Sequence, residues 1–268
     1  MIIGARRMAQ LSLRYLPFAD AVSDDFPLRQ ILRLSLFQVS VGMATVMLLG
    51  TLNRVMIVEL SIPATMVAIM IALPVMTAPF RALLGFKSDN YRSAIGWKRI
   101  PYMWFGTLWQ MGGLAIMPFA LIVLSGDQTL GPAWAGEVLA GIAFLMTGLG
   151  IHMTQTVGLA LASDRATDET RPRVVALLYV MFLVGMGVSA VVIGWFLRDF
   201  SELTLIRVVQ GAAVATVVLN LVALWKQEPM NPMSKEERST RPPSFGDAWA
   251  DFLRGGRAGR LLAVVALG

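Results

Sequence analysis

The sequence predicts an all-α membrane protein. Three observations carry that expectation: excess apolar composition, six long apolar runs, and a lopsided distribution of basic residues. Of the 268 residues, 56% are hydrophobic and only 15% charged. An average soluble domain is about 45–50% apolar and about 25% charged. A water-soluble fold has no place for that excess, whereas a bilayer does.

A helix that crosses a bilayer needs about 20 mostly apolar residues. Six segments satisfy this: roughly 31–53, 62–84, 100–124, 134–162, 174–197 and 203–225. They follow a cytoplasmic N-terminal segment, residues 1–30, part of which (1–18) suits a surface helix. A seventh apolar run opens at Leu261 and reaches only Gly268, so 261–268 reads as the start of a truncated seventh helix. No cleavable signal peptide is evident, because Arg6, Arg7 and Arg14 are not followed by an apolar core and a small-residue cleavage site.

Orientation follows from Lys and Arg, which concentrate on the cytoplasmic side. With the N-terminus inside, 20 of the 23 basic residues fall on inner segments, Arg81, Lys87, Lys98, Arg99 and Arg165 among them. Only Arg54, Arg198 and Arg207 fall outside. The formal charge of +6 therefore sets topology rather than nucleic-acid binding. Trp97, Trp134, Trp195 and Trp225 lie near span ends, as an interfacial aromatic belt requires. Gly141, Gly148 and Gly150 in the fourth span, and Gly187, Ala190 and Gly194 in the fifth, suit close helix packing.

Residues 226–260 differ in kind. They carry Pro229, Pro232, Pro242, Pro243 and many charges, which marks a cytoplasmic linker. Within it Ser244 and Asp247 form a capping-box pattern ahead of Ala248-Trp249-Ala250-Asp251-Phe252-Leu253. That stretch is expected to be a short amphipathic helix on the membrane surface. Six helices ahead of a linker read as one half of a two-half, transporter-type bundle. Three-helix units duplicated within a half insert in opposite senses, the inverted-repeat logic of transporters.

Function classes narrow by elimination. There is no cysteine, so disulfides and thiolate metal sites are excluded. The single histidine, His152, leaves no His cluster for zinc or iron. No nucleophile–base pair is evident, and a non-enzymatic role is expected. Glu59, Asp127, Glu137, Asp199 and Glu202 all sit at or near outer span ends, so these six spans offer no carboxylate relay for proton coupling.

What polar chemistry the spans do hold is His152, with Gln155 and Thr156 on the same face at i+3 and i+4. Gln38 lies in the first span and Gln110 in the third. At 1.5 Å per residue, His152 lies roughly 15 Å, and Gln38 roughly 10 Å, from the inner ends of their spans. Trp104 and Trp109 in the third span are packing residues, or flanks for a flat ligand.

Between the second and third spans stand Gly85-Phe86-Lys87-Ser88-Asp89 and then Gly96-Trp97-Lys98-Arg99. This resembles the cytoplasmic signature of the major facilitator superfamily. The resemblance implies a gating motif of Gly85, Asp89, Gly96, Lys98 and Arg99. The Asp89-to-Gly96 stretch is longer than in the usual pattern.

A wider resemblance is carried by Leu34-Ser35-Leu36-Phe37-Gln38-Val39-Ser40-Val41-Gly42-Met43, by Gly50-Thr51-Leu52-Asn53-Arg54-Val55-Met56-Ile57-Val58-Glu59-Leu60, and by Ala78-Pro79-Phe80-Arg81-Ala82-Leu83. Gly113-Leu114-Ala115-Ile116-Met117-Pro118-Phe119-Ala120-Leu121 and Leu161-Ala162-Ser163-Asp164-Arg165-Ala166 extend it. Together these resemble the PucC/LhaA family of purple phototrophic bacteria, from about Tyr15 to the end of the chain.

That resemblance implies a major-facilitator-type bundle of twelve helices in the inner (intracytoplasmic) membrane, of which this chain holds the N-terminal six-helix half. It also implies assembly of light-harvesting complexes and delivery of bacteriochlorophyll. The partners it implies are antenna α and β polypeptides, the reaction-centre complex and the lipid bilayer, with no nucleic acid. In such a bundle the first and fourth helices line the central cavity. His152, Gln155 and Gln38 are then the candidate bacteriochlorophyll contacts, with His152 as a possible axial ligand to the chlorin magnesium. A secondary transporter of a small amphipathic solute, working by alternating access, is the competing expectation.

Overall fold

The computed structural model describes residues 19–23, 26–91, 93, 95–126, 132, 134–230, 232, 244–254 and 260. Every regular element among them is helical. Six helices are long and apolar enough to cross a membrane: α1 (Leu28–Glu59), α2 (Ala64–Asn90), α3 (Ile100–Ser125), α4 (Ala135–Arg165), α5 (Arg171–Phe196) and α6 (Glu202–Leu224). A shorter helix, α7, covers Phe245–Arg254. The expected surface helix in residues 1–18 and the seventh run at 261–268 lie outside the described residues.

Two helix ends have an evident local cause. Ser201 caps α6, accepting the Thr204 N–H at 3.1 Å. Gly126, at φ 88, ends α3 in the left-handed conformation. The start of α3 is capped from a distance. The Glu228 carboxylate, just beyond α6, accepts the backbone N–H groups of Lys98, Arg99 and Ile100 at 2.8–3.3 Å. A carboxylate at a helix N-terminus is favoured by both the orphan N–H groups and the helix dipole.

Two helices depart from regular α geometry. From Met47 to Leu52 and again from Val55 to Glu59, α1 widens into π turns. The wider turn keeps Met47, Leu52 and Met56, spaced five and four apart, on the buried side. In α2 the prolines interrupt the ladder. Pro79 has no N–H, and the bonds around it tighten to i→i−3: Ala78 to Val75 (3.0 Å), Phe80 to Thr77 (3.0 Å), Arg81 to Ala78 (3.0 Å). The helix resumes at Phe80 and runs to Asn90, beyond the end of its apolar run.

Close packing of α3 on α4 depends on glycine. A Cβ on Gly150 would collide with the backbone of Gln110, and one on Gly113 with the backbone of Thr147. Gly42 and Gly185 serve the same purpose between α1 and α5, and Gly148 against Pro74 of α2. The expectation for Gly187 and Gly194 fails within the described residues: a Cβ there meets nothing within 4 Å. Those glycines lie on the open side of α5, beside exposed Leu183, Val188 and Val191.

A polar zipper runs through the apolar centre. Ser40 of α1 donates to Asn220 of α6 (3.0 Å), and Asn220 donates to Thr107 of α3 (2.9 Å). Gln110 donates to the Ser40 carbonyl (3.1 Å) and to Thr216 (3.2 Å). Polar groups away from water need such partners. The zipper holds α1, α3 and α6 in one register.

The Ser244–Asp247 box forms at the start of α7, with the Asp247 N–H donating to Ser244 Oγ at 3.1 Å. Phe245 packs edge-on against Phe86 of α2, with ring centroids 5.3 Å apart, and Trp249 and Phe252 continue the aromatic face. None of its residues is buried.

Gly150→Ala is expected to lower stability by about 1–3 kcal/mol, the usual cost of overpacking. Gly211→Ala, where a Cβ meets nothing within 4 Å, is expected to be neutral or to stabilise by up to about 1 kcal/mol through helix propensity. Thermal unfolding of the detergent-solubilised variants checks both.

Candidate functional site

The interruption of α2 creates the chemistry around it. The Pro74 carbonyl accepts the Thr77 N–H (3.1 Å), the Thr77 hydroxyl (2.6 Å) and, from α4, His152 Nε2 (2.8 Å). One turn past the break, Arg81 reaches the same histidine. Its Nε donates to His152 Nδ1 at 2.8 Å, its Nη2 contacts that nitrogen as well, and Nη2 donates to Gln155 Oε1 at 3.1 Å. A guanidinium has no acceptor and stays charged. His152 Nδ1 must therefore accept, and Nε2 carries the proton it gives to Pro74.

Arg81, His152 and Gln155 line a cavity of about 200 Å³ between α1, α2, α4 and α5. Its other walls are mostly apolar, with Leu48, Leu49, Ile71, Val75 and Phe182 prominent. No acidic side chain is among the residues that line it. Arg81 stands nine residues before the end of α2, roughly 13 Å along the helix. The apolar run fades three residues after Arg81 while the helix continues to Asn90, so Arg81 lies near the end of the apolar stretch with two further helical turns beyond it.

The structure brings two of the three expected ligand residues together and leaves the third apart. His152 and Gln155 are joined through Arg81. Gln38 does not line the cavity; it is fully buried, and neither side-chain amide atom has a hydrogen-bond partner among the described residues. The expectation of His152 as a free axial ligand also meets a geometric obstacle. Both ring nitrogens are engaged, so ligating a magnesium would require Arg81 or the Pro74 carbonyl to let go. The cavity is smaller than the roughly 300–1,000 Å³ that encloses a drug-sized ligand, so a chlorin macrocycle does not fit inside it.

At the basic end, Arg99 joins three helices. Its side chain is only 6% exposed; it ion-pairs with Asp89 of α2 and, at 3.0 Å, with Asp164 of α4, and it donates to Ser88 Oγ at 2.7 Å. Of the signature residues, Asp89 and Arg99 thus meet. Gly96 takes the positive φ of 90 that its turn requires. Lys98 contributes its backbone N–H to Glu228. Gly85 lies inside α2, within 3.9 Å of Thr156 as seen from a Cβ, and makes no turn. Beside this cluster Arg165 donates to Gln227 (2.9 Å) and Gln30 (2.7 Å) and stacks over Phe26 at 4.7 Å.

The same end carries an open groove of about 1,650 Å³ between α3, α4 and α6. Trp97, Trp104, Leu221 and Trp225 supply its apolar walls, and Asp164 and Arg165 belong to its polar margin. Leu221 and Trp225 are exposed on the outer surface of the bundle.

Arg81, Pro74, Asp164, Ser88 and Glu228 organise these sites without standing out in the sequence as functional residues. Only Arg81 left a usable trace: a lone cation two residues after a proline, inside an apolar run.

Six apolar helices, one of them broken beside a cation-lined cavity, define a multi-pass membrane protein with an internal polar site. The chain belongs to the PUCC protein family, whose profile matches residues 51–268. It is 67% identical, over all 268 residues, to an uncharacterized protein in the puhA-bchM intergenic region of Rhodobacter capsulatus, and covers 56% of that protein. It is 57% identical over 99% of its length to Protein PucC of Rhodovulum sulfidophilum, covering 60% of it. A Rhodobacter capsulatus protein named bacteriochlorophyll synthase 44.5 kDa chain is 26% identical over 83% of the chain and half of its own length. The chain therefore spans somewhat under two thirds of the length of these curated relatives.

Truncating either Arg81 or His152 to Ala is expected to lower stability by about 1–3 kcal/mol, since each leaves a polar partner unmatched. The Arg81→Ala/His152→Ala pair is expected to fall short of the sum, with a coupling of about 0.5–3 kcal/mol. A double-mutant cycle on thermal or denaturant unfolding in detergent measures it.

Proposed function

We propose that this chain is part of a non-enzymatic assembly factor for light-harvesting complexes, one that holds bacteriochlorophyll while antenna polypeptides insert. Membership of the PUCC family supports the reading, as does the name of the bacteriochlorophyll synthase relative. The structural observation that carries it is the lateral groove at the basic end. A pigment carrier needs an apolar, aromatic surface, and Trp104 and Trp225 provide aromatic faces on a concavity of about 1,650 Å³ whose margin carries Lys98, Asp164, Arg165, Arg171, Lys226 and Glu228. Aromatic stacking and burial of apolar area would hold the ring there. Bound pigment supplies the antenna with its chromophore; the chain's own residues only seat it and shield it.

In this reading the basic end faces the cytoplasm, as the distribution of Lys and Arg favours. The membrane is the inner, photosynthetic one. The N–H groups of α3 fixed by Glu228, and the Asp89–Arg99–Asp164 cluster, keep the groove's rim in place. Antenna α and β polypeptides and the reaction-centre complex dock from the bilayer side, and α7 rests its aromatic face on the membrane surface. His152 is a structural partner of Arg81 and not the pigment ligand.

A second reading, a secondary transporter of an amphipathic solute, draws on one specific observation. A helix broken at mid-span beside a cavity is how transporters build a substrate site. Rocking of the two halves would then pass through the Asp89–Arg99–Asp164 cluster as a gate.

The absorption spectrum of the full-length protein, purified from cells that make bacteriochlorophyll, separates these. Pigment is expected in the parent and in His152→Ala, and is expected to fall several-fold in Trp104→Ala/Trp225→Ala. Loss in His152→Ala alone would make His152 a pigment contact and overturn the groove as the seat. No pigment in any of the three would leave the transporter reading standing.

A further inference from the structure

We infer that the cavity beside the α2 break is a subsite for the oxyanion headgroup of an amphiphile, a carboxylate or a phosphate, with Arg81 as the recognising group. The inference concerns a different cavity from the pigment groove, and its failure would leave the pigment reading untouched.

Three observations lead to it. First, Arg81 is a cation within a span and has no acidic partner among the described residues. Its Nε and Nη2 are used on His152 and Gln155, while Nη1 makes no hydrogen bond to any of them. A cation in a membrane span with no carboxylate beside it is a functional-site candidate. Second, the guanidinium is held in place. Two neutral acceptors on α4 fix one edge of the fork, and Pro74 in turn fixes His152. The charge is thus oriented without being neutralised, which is preorganisation for an anion.

Third, the remaining walls select for an apolar body. Leu48, Leu49, Ile71, Val75 and Phe182 surround the polar corner, and Leu49 and Val75 are exposed where the cavity meets the surface. A volume of about 200 Å³ equals roughly six or seven waters at ~30 Å³ each. That accommodates a headgroup and the first few carbons, with the rest of the molecule lying outside along α1 and α2. A free inorganic anion would gain nothing from the apolar walls, and a neutral lipid nothing from Arg81.

The test is equilibrium binding of radiolabelled palmitate, hexadecyl phosphate and methyl palmitate to the full-length protein in uncharged detergent. Palmitate or hexadecyl phosphate is expected to bind, methyl palmitate at least tenfold more weakly, and the stronger of the two acids tells carboxylate from phosphate. Arg81→Gln is expected to weaken acid binding by roughly tenfold to a hundredfold, the range set by losing a charge-assisted hydrogen bond, with little change for the ester. Should Arg81→Gln fail to fold, Val75→Trp at the cavity wall decides instead. It leaves Arg81 intact and is expected to weaken acid binding by filling the space. Equal affinity for acid and ester would overturn the inference. So would acid selectivity that survives in folded Arg81→Gln, acid binding unchanged by Val75→Trp, or no binding at all, which would assign Arg81 a counter-charge elsewhere in the full-length chain.

Discussion

The Pro74 carbonyl is the point on which the packing of α2 against α4 turns. In hydrocarbon a backbone acceptor must be satisfied internally, and the prolines of α2 disturb the ladder that would do so. Thr77 answers from within the helix and His152 from across the interface. That second bond fixes the tautomer of His152, which leaves Nδ1 to accept, which in turn anchors Arg81. A chain of two hydrogen bonds, Pro74 to His152 and His152 to Arg81, thus converts a helix defect into a positioned cation. Gly148 makes it possible, since any side chain there would strike the Pro74 ring and push α2 away from α4.

The basic end repeats the logic with ionic partners. Arg99 is buried while its two carboxylates, on α2 and α4, remain about half exposed. Exposed ion pairs contribute little, typically under about 1 kcal/mol. Their value here is positional: the buried guanidinium has one geometry that meets Asp89, Asp164 and Ser88 together. Glu228 adds a tether by carrying the end of α6 to the start of α3. The same tether lies on the wall of the groove, which Lys98, Ile100 and Glu228 all line.

What the sequence revealed follows from which forces are local. Six spans were legible because length and apolarity decide them, and the Ser244–Asp247 box because capping is a short-range pattern. Asp89 and Arg99 were legible through a signature, but Asp164 is 65 residues from Arg99 and nothing in its neighbourhood announces the contact. Arg81 was read as a flanking charge because the apolar run fades at 84. The helix itself continues to Asn90, since helical hydrogen bonding does not stop where hydropathy does. His152 stood out as polar, yet its partners lie on α2, so the sequence showed a need and not its answer. The fifth-span glycines misled for the opposite reason: small residues permit close approach, but only the partner's position decides which of Gly185, Gly187 and Gly194 is used.

The two clusters also divide α2 into parts with different freedom. Its second segment, Phe80–Asn90, is tied to α4 twice, by Arg81 to His152 and through Arg99 to Asp164. The ties are about eight residues apart on α2, or roughly 12 Å. Two ties at that separation resist rotation as well as translation. Its first segment is held differently, by apolar contact and by the Pro74–Gly148 approach, and most of its side chains face outward. The bonds between the segments are the shortened ones at 77–79. A displacement of α2 against α4 therefore concentrates at that turn, and whatever occupies the Arg81 cavity sits directly on the hinge. The Arg81 cavity is lined from both segments, by Ile71, Pro74 and Val75 of the first and Arg81 of the second, so the ligand inferred above would touch both.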